Sequence, residues 1–306
     1  MSDLDISQID SDLGTLAKNG VLDNASATMR VQSAIDHPLL MIEGATLTWH
    51  IAPDLLNIPT LKGAFPHLTL DHFHAIGSTN DHLMALDASA FDRVAVAECQ
   101  LSGRGRRHRA WVSPYARSLS ISHGHQSSRP LAELGGLSTV IGIVLCQLFR
   151  HLGVAAGLKW PNDLLVNGEK LCGILVELNN TEEGVAVVVG VGVNVDLTAR
   201  EIAEVSQPVT DLRRHGVSMP RTEIAQMVIE VIDLGCRRFQ TEGFDVFVSE
   251  FDDLHIYHDQ VCNILLGDSV EQGRVLGIAP DGALRLQTAD GEKAYHGGEV
   301  SLRPAE

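Results

Sequence analysis

Apolar positions in the first sixty residues recur at helical spacing and then alternate. Leu4, Ile6, Ile9, Leu13 and Leu16 fall on one face of a helix that should stop at Asn19-Gly20. A second helix is expected from Asn24 or Ser26, both capping residues, through Met29, Val31 and Ile35. Leu39–Ile42 and Ala45–Ile51 flank Glu43-Gly44 and read as two short strands around a turn. Two helices and a two-stranded wing suggest a small winged-helix-like unit over residues 1–60.

From about residue 65 the period switches back and forth between two and 3.6. Strands are expected at Thr69–Ile76, Arg93–Cys99, Leu119–Ser122, Leu158–Trp160, Asp163–Val166, Lys170–Leu178 and Val185–Asn194. Helices are expected after Ser78, over Leu131–Leu152, and over 221–243 with Ile224, Met227, Val228, Val231 and Leu234 inward. Beyond about residue 257 only strands and turns remain. Gly267-Asp268, Asp281-Gly282 and Asp290-Gly291 punctuate them as in a small β-barrel.

Composition narrows the class. With 44% hydrophobic and 20% charged residues in 306, the chain is globular and long enough for more than one domain. Val140–Cys146 and Val185–Val193 are the longest apolar runs noted, both far short of the roughly 20 residues of a membrane span. The acidic N-terminus lacks a signal-peptide pattern, so a cytoplasmic protein is expected. Its five cysteines are scattered, which favours reduced, buried thiols over disulfides or a cysteine-rich zinc site. A net charge of −16 argues against a protein whose main work is gripping phosphate backbones. Any positive site must be local.

Three stretches carry candidate chemistry. Ser102–Trp111 holds Arg104, Arg106, Arg107 and Arg109 between Gly103, Gly105 and Trp111. The glycines free the backbone for positive φ or close approach, and guanidinium forks suit carboxylate or phosphate oxygens. A solvated basic loop is the competing account, and the G-K-[ST] ending of a Walker loop is missing. In Leu158–Asp163, Lys159 is a cation among apolar neighbours, Pro161 marks a strand end, and Asn162 and Asp163 stand at a strand exit; a plain hairpin with surface lysines competes. Lys170 opens the next strand, and Gly173 within it would let a ligand lie on the backbone. Gly190 and Gly192 alternate in an apolar strand ending at Asn194, leaving a bare face for a flat ligand; the G-x-G-x-x-G spacing is not satisfied. His72 with His74, and His123 with His125, have metal-like spacing. Neither pair has an evident third ligand, so both are read as structural or exposed histidines and no metal site is assigned.

In this order the motifs resemble those of the biotin–protein ligase family, most closely its bacterial bifunctional ligase–repressor branch. They are Ser-Thr-Asn at 78–80, Gln100, Gly-Arg-Gly-Arg-Arg at 103–107, Trp111, Lys-Trp-Pro-Asn-Asp at 159–163, Lys-Leu-x-Gly-Ile-Leu-Val-Glu at 170–177, Gly-x-Gly-x-Asn at 190–194 and Gly-Glu-Val-Ser-Leu-Arg at 298–303. The resemblance implies an α+β fold: a mixed sheet flanked by helices (class II synthetase/biotin ligase-like) over 61–256, and an SH3-like β-barrel over 257–306. It implies ATP-dependent conversion of biotin to biotinyl-5′-AMP, with Mg²⁺, and transfer to a lysine of a biotin carboxyl carrier protein domain of acetyl-CoA carboxylase. By resemblance Ser78, Thr79 and Gln100 would meet the ureido head of biotin, and the backbone of Gly103, Arg104, Gly105, Gly173, Gly190 and Gly192 would line its slot. Arg106 and Lys170 would meet the carboxylate and α-phosphate. Arg107, Arg109, Trp111, Asn162, Asn194 and Arg303 would serve the nucleotide, with Asp163 near the phosphates and Mg²⁺.

The chain also departs from the family. His108 stands where relatives usually carry Gly, and Ser-Ile-Ser-His-Gly-His after Leu119 is more polar than usual. In the repressor branch the N-terminal unit binds operator DNA. Here residues 1–60 hold only Lys18 and Arg30 as bases, against Asp3, Asp5, Asp10, Asp12, Asp23, Asp36, Glu43 and Asp54. Operator binding is therefore not expected. A ligase–repressor and a lipoate ligase of the same fold are the alternatives, and an adenylate-linked homodimer is a further implication of the resemblance.

Overall fold

A computed structural model of the chain describes residues 5–35, 40–87, 91–266, 269–297 and 300–305. Leu4, Leu39, the Gly267-Asp268 turn and Gly298-Glu299 lie outside the described residues.

The N-terminal unit comprises α1 (Ile6–Asn19), β1 (Val21–Asp23), α2 (Ala25–Ala34), β2 (Leu40–Glu43) and β3 (Thr46–Trp49). Asp5 caps α1, and Gly20 ends it at φ 73°, where its N–H reaches Leu16 O. Asn24 caps α2. The wing has three strands in the order β1-β3-β2; three-residue β1 is too short to show a period. Residues 1–60 are not a separate core. Ile9, Leu13, Leu16, Val31 and Leu47 pack with Ala75, Cys99 and Tyr115 of the main body. The Asp10 carboxylate accepts from His74 N–H at 2.6 Å and Ala75 N–H at 3.0 Å, fixing α1 against the central sheet.

After α3 (Ile58–Ala64) come β4 (Thr69–Phe73), α4 (Thr79–Met84), β5 (Arg93–Ala97), β6 (Ser118–Ser127), α5 (Leu137–His151), β7 (Gly157–Lys159), β8 (Asp163–Val166), β9 (Glu169–Thr181), β10 (Gly184–Asn194), α6 (Ala199–Ala203), α7 (Arg221–Glu242) and α8 (Val248–Leu254). Seven strands form one mixed sheet in the order β4-β5-β6-β10-β9-β8-β7, parallel only between β4 and β5. Asn167 and Gly168, both at positive φ, make the tight turn between β8 and β9. α5 and α7 cover one face, and α4 lies on the other. Central β6 runs to Ser127, beyond the expected Ser122, because it pairs with β5 and β10 together.

The helix expected over Leu131–Leu152 is broken. A 3₁₀ turn at Leu131–Glu133 precedes α5, with Gly135-Gly136 between them. Gly136 cannot carry a side chain, since a Cβ there would lie 2.4 Å from Phe244. Leu131–His151 as a whole is long and apolar enough to cross a membrane, which the run lengths understated; most of it is buried inside the molecule as a core element.

The last five strands, β11 (Val261–Leu266), β12 (Ser269–Ile278), β13 (Leu284–Thr288), β14 (Gly291–Tyr295) and β15 (Val300–Pro304), pair antiparallel in the order β14-β13-β12-β11-β15. This is the SH3-like unit. Its Cys262, Ile264, Leu284 and Leu302 join the same core as α5 and α7. Trp160 Nε1 donates to Gly282 O at 3.3 Å, tying the two units beside the site.

Candidate active site

Ser78 caps α4, its Oγ accepting from Asp81 N–H at 3.3 Å. That cap turns Thr79 and Asn80 into the sheet, where both are buried. Gln100 Oε1 accepts from Thr79 N–H at 2.8 Å and Thr79 Oγ1 at 3.1 Å. Ser122 Oγ lies 2.7 Å from Thr79 Oγ1 and 2.6 Å from Asn80 Oδ1, and Asn80 Nδ2 donates to Glu177 at 2.8 Å. One end of the site is thus a buried network of amides and hydroxyls. It can match a polar, uncharged ligand head.

The other end is cationic. Residues 103–111 form a small hairpin in which Gly105 N–H donates to Arg109 O at 2.7 Å and Trp111 N–H to Gly103 O at 2.9 Å. Positive φ was expected at the glycines, yet Gly105 is extended (φ −108°, ψ −173°). The left-handed residues are instead Arg107 (φ 56°) and His108 (φ 57°) at the tip. Gly103 is needed for close approach, because a Cβ would lie 2.7 Å from Trp111 O. Arg104 pairs with Asp81 and, at 3.4 Å, with Glu177. Arg106 donates to Asn162 Oδ1 at 3.1 Å, and Asn162 Nδ2 to Ile174 O at 2.8 Å. Burial, then neighbouring Arg107, pushes the Arg106 guanidinium below its usual value.

Lys170 Nζ stands 2.7 Å from Asp163 Oδ1, as an ion pair without a well-aligned hydrogen bond, and 5.6 Å from the centre of the Trp111 ring. Lys159 is lowered to about 8 by burial first and then by Arg303, against the opposing pull of Asp163 and with help from Lys170 and Arg109. Such crowding of cations is the signature of a place built for anions.

These groups surround a cavity of about 130 Å³. Small-molecule sites usually start at roughly 300 Å³. The glycines explain the difference. They do not leave an open face, as expected, but are covered by the chain's own side chains. A Cβ on Gly192 would lie 2.3 Å from Trp111 Cε2, and one on Gly190 2.2 Å from Asn80 Oδ1. Gly173 similarly receives Lys170 and Trp111 at 3.1 to 3.2 Å.

Every residue expected at the site lines this cavity except Gly103 and Asn194. Gly103 lines a neighbouring cleft of about 550 Å³ on the outer side of the hairpin, toward α2 and α6. Asn194 is 3% exposed, and its amide donates to Lys170 O at 3.2 Å and Thr210 O at 3.0 Å. It holds the backbone beneath Lys170 and does not line the cavity.

Comparison with known proteins identifies the family. Residues 75–194 match the model of the biotin/lipoate A/B protein ligase family, and residues 257–303 match the biotin protein ligase C-terminal domain. The chain is 34% identical over 255 residues to the bifunctional ligase/repressor BirA of Escherichia coli (strain K12), across 82% of this chain and 79% of that protein. The chain belongs to the biotin–protein ligase family. A biotin–[acetyl-CoA-carboxylase] ligase of Mycobacterium tuberculosis is 35% identical over 173 residues, 54% of this chain and 62% of that one. The structure of the Aquifex aeolicus biotin protein ligase in complex with biotin and ATP superposes with a TM-score of 0.67 at 26% identity, over 78% of this chain and 99% of that chain.

Within this biotin–protein ligase fold, some contributors escaped the sequence. Ser122 was visible only as a polar residue in an apolar strand. Gln207 reaches the cavity from the loop after α6 and carried no signal. His72 lies 3.5 Å from Glu98, and His74 Nδ1 is 3.0 Å from Tyr115 OH, so both are engaged within the body.

Proposed function

We propose that the chain activates biotin with ATP and transfers it to a lysine of a biotin carboxyl carrier domain of a carboxylase. One observation carries this. A single cavity joins a neutral amide–hydroxyl end to a cluster of cations drawn from the hairpin, β7, β9 and β15, in a chain of net charge −16. Biotin offers a polar, uncharged ureido head and a carboxylate, and ATP adds phosphates, so the two ends suit the two reactants. Ser78, Thr79 and Gln100 take the head, Arg106 and Lys170 the carboxylate and α-phosphate, and Arg107, Arg109, Trp111, Asn162 and Arg303 the nucleotide.

A carboxylate oxygen of biotin attacks the α-phosphorus, the bond to pyrophosphate breaks, and biotinyl-5′-AMP forms. A lysine amine of the carrier then attacks the acyl carbon, and AMP leaves. Both reactants of the first step are anions, so the cations offset their repulsion and stabilise charge on the α-phosphate in the transition state. No protein nucleophile is needed. Among the described residues Asp163 is the one carboxylate lining the cavity, which fits a Mg²⁺ held by one protein carboxylate and the phosphates. Because Trp111 and Asn80 fill part of the space, the reactants need the hairpin to shift before it folds over them.

The test is labelled biotin, ATP, Mg²⁺ and a carrier domain, with lipoate in a parallel reaction. Biotin transfer is expected. Transfer of lipoate alone would overturn the proposal, while the match of residues 257–303 to a biotin ligase C-terminal domain supports biotin.

Operator DNA is not part of this proposal. Of the two bases in residues 1–60, Arg30 is already paired with Asp12 at 2.8 Å, leaving Lys18. A gel shift that finds tight, salt-sensitive binding to the chain's own biotin-operon promoter would restore the repressor function. Buried, unpaired cysteines suit the cytoplasm. An adenylate-linked homodimer is checked by sedimentation with and without both ligands.

A further inference from the structure

The polar stretch of β6 faces two ways. Ser122 points to the active site, while His123 and His125 point to the opposite face, where α7 crosses. Asp233 and Cys236 lie on the facing side of α7, one turn apart. Among the described residues His123, His125 and Cys236 are the one group whose ligand atoms, one from each, all lie within 4.8 Å of one another. Sequence spacing gave only the two histidines, because the third member comes from an element 111 residues beyond His125.

The hydrogen bonds are those of a prepared ligand set. His123 is 2% exposed, and its Nε2 is 3.2 Å from Asp233 Oδ1, while its Nδ1 has no partner. A metal-binding histidine commonly gives its second nitrogen to a carboxylate, which fixes the ring and the tautomer. Asp233 is held in turn by His67 Nε2 at 3.1 Å and Arg237 Nε at 3.0 Å. His125 Nδ1 is likewise buried without a partner. Two orphaned imidazole nitrogens beside one buried thiol are costly unless something binds them.

We propose that His123, His125 and Cys236 bind a divalent cation of the zinc class on the face of the sheet opposite the active site. Two imidazoles and one thiolate suit zinc and exclude magnesium or calcium, which take oxygen ligands. Zinc bond lengths at tetrahedral angles require ligand atoms roughly 3.3 to 3.8 Å apart, so the side chains draw in by about 1 Å. Water takes the fourth position. Cys236 binds as the thiolate, so coordination replaces its proton with the metal and releases that proton to buffer. The bound cation tethers α7 to β6, directly behind Ser122.

Metal-stripped full-length protein titrated with cobalt(II) chloride should develop a thiolate-to-metal absorption band that saturates at one equivalent. Zinc chloride should abolish it by displacement. The band should be lost in Cys236→Ser, weakened at least tenfold in affinity in His125→Gln, and unchanged in His50→Gln, an exposed histidine elsewhere. In parallel, zinc should raise the Tm of the unmodified chain, a readout that needs no variant to fold. No band in the unmodified chain, or a band that survives Cys236→Ser, would overturn the site. Biotin transfer is not among the readouts, so this result stands apart from the ligase assignment.

Discussion

Lys170 and Asp163 face each other at 2.7 Å across adjacent strands, β9 and β8, with Trp111 on the other side of the lysine. The carboxylate holds the ammonium in place but also shares its charge. An arriving phosphate must compete for it.

Replacing Lys170 with Ala should therefore do more than remove a contact. A charge aimed at the transition state is lost, and Asp163 remains unpaired near the phosphates. Pyrophosphate release should fall about 10²–10³-fold in kcat, the usual size for removing one preorganised donor. Lys170→Arg should recover part of the rate. An unchanged kcat would remove Lys170 from the chemistry.

Lys159 gives the site a proton signature. Burial and Arg303 hold it at about 8 in the free protein. An anion bound nearby favours the charged form and returns it toward the ordinary lysine value near 10.4. ATP binding should then take up protons between about pH 8 and 10, approaching about one near pH 9. Calorimetry in buffers of different ionisation enthalpy reads this directly, and Lys159→Met should abolish it. Proton release in that window would contradict the assignment.

His108 bears strain where a glycine would not. Its left-handed backbone costs a side chain about 1–2 kcal/mol. His108→Gly should relax the hairpin tip and leave the global Tm nearly unchanged. Trypsin cleavage between Arg104 and Arg109 should slow on adding biotin with ATP in the unmodified chain, and His108→Gly should change the extent of that protection. Equal cleavage with and without ligands would show that the hairpin does not fold over them.

Glu98 and Arg221 set an acid limit on stability. Glu98 is fully buried, and burial alone would raise its carboxyl, but Arg221 at 2.7 Å, His72 and Leu56 N–H outweigh that and hold it at about 2. A group lowered on folding contributes stability above its unfolded value near 4.5, lost as the pH falls from there toward 2. The contribution is on the order of 3 kcal/mol. Urea unfolding from pH 6 down to pH 2.5 should show the loss, and Glu98→Gln should flatten it. Arg221→Met, which strands a buried carboxylate, should cost about 3–5 kcal/mol at pH 7.

Much of the sheet could be read from periodicity, because strands buried on one or both faces write their pattern locally. α3, α6, α8 and β1 were missed since elements of three to seven residues are too short to establish a period. Gly190 and Gly192 show how far a motif can lead. Their bareness was visible in the sequence, and its cause was not. Asn80 and Trp111 arrive from residues far away along the chain to occupy the space a Cβ would need. Asn194 shows the reverse, a residue type suited to a nucleotide but used on two carbonyls.

The sequence alone determined the order of elements, the local crowd of arginines and lysines in an acidic chain, and the motifs that mark the family. These depend on residue type and on spacing along the backbone. Only the tertiary structure decided which face each side chain serves and what meets it there. It joined residues 1–60 to the edge of the main body through Asp10, turned Asn194 inward, and brought Cys236 up to His123 and His125. Such pairings join groups separated by tens of residues or more, and their energies depend on packing and burial, which no local pattern records.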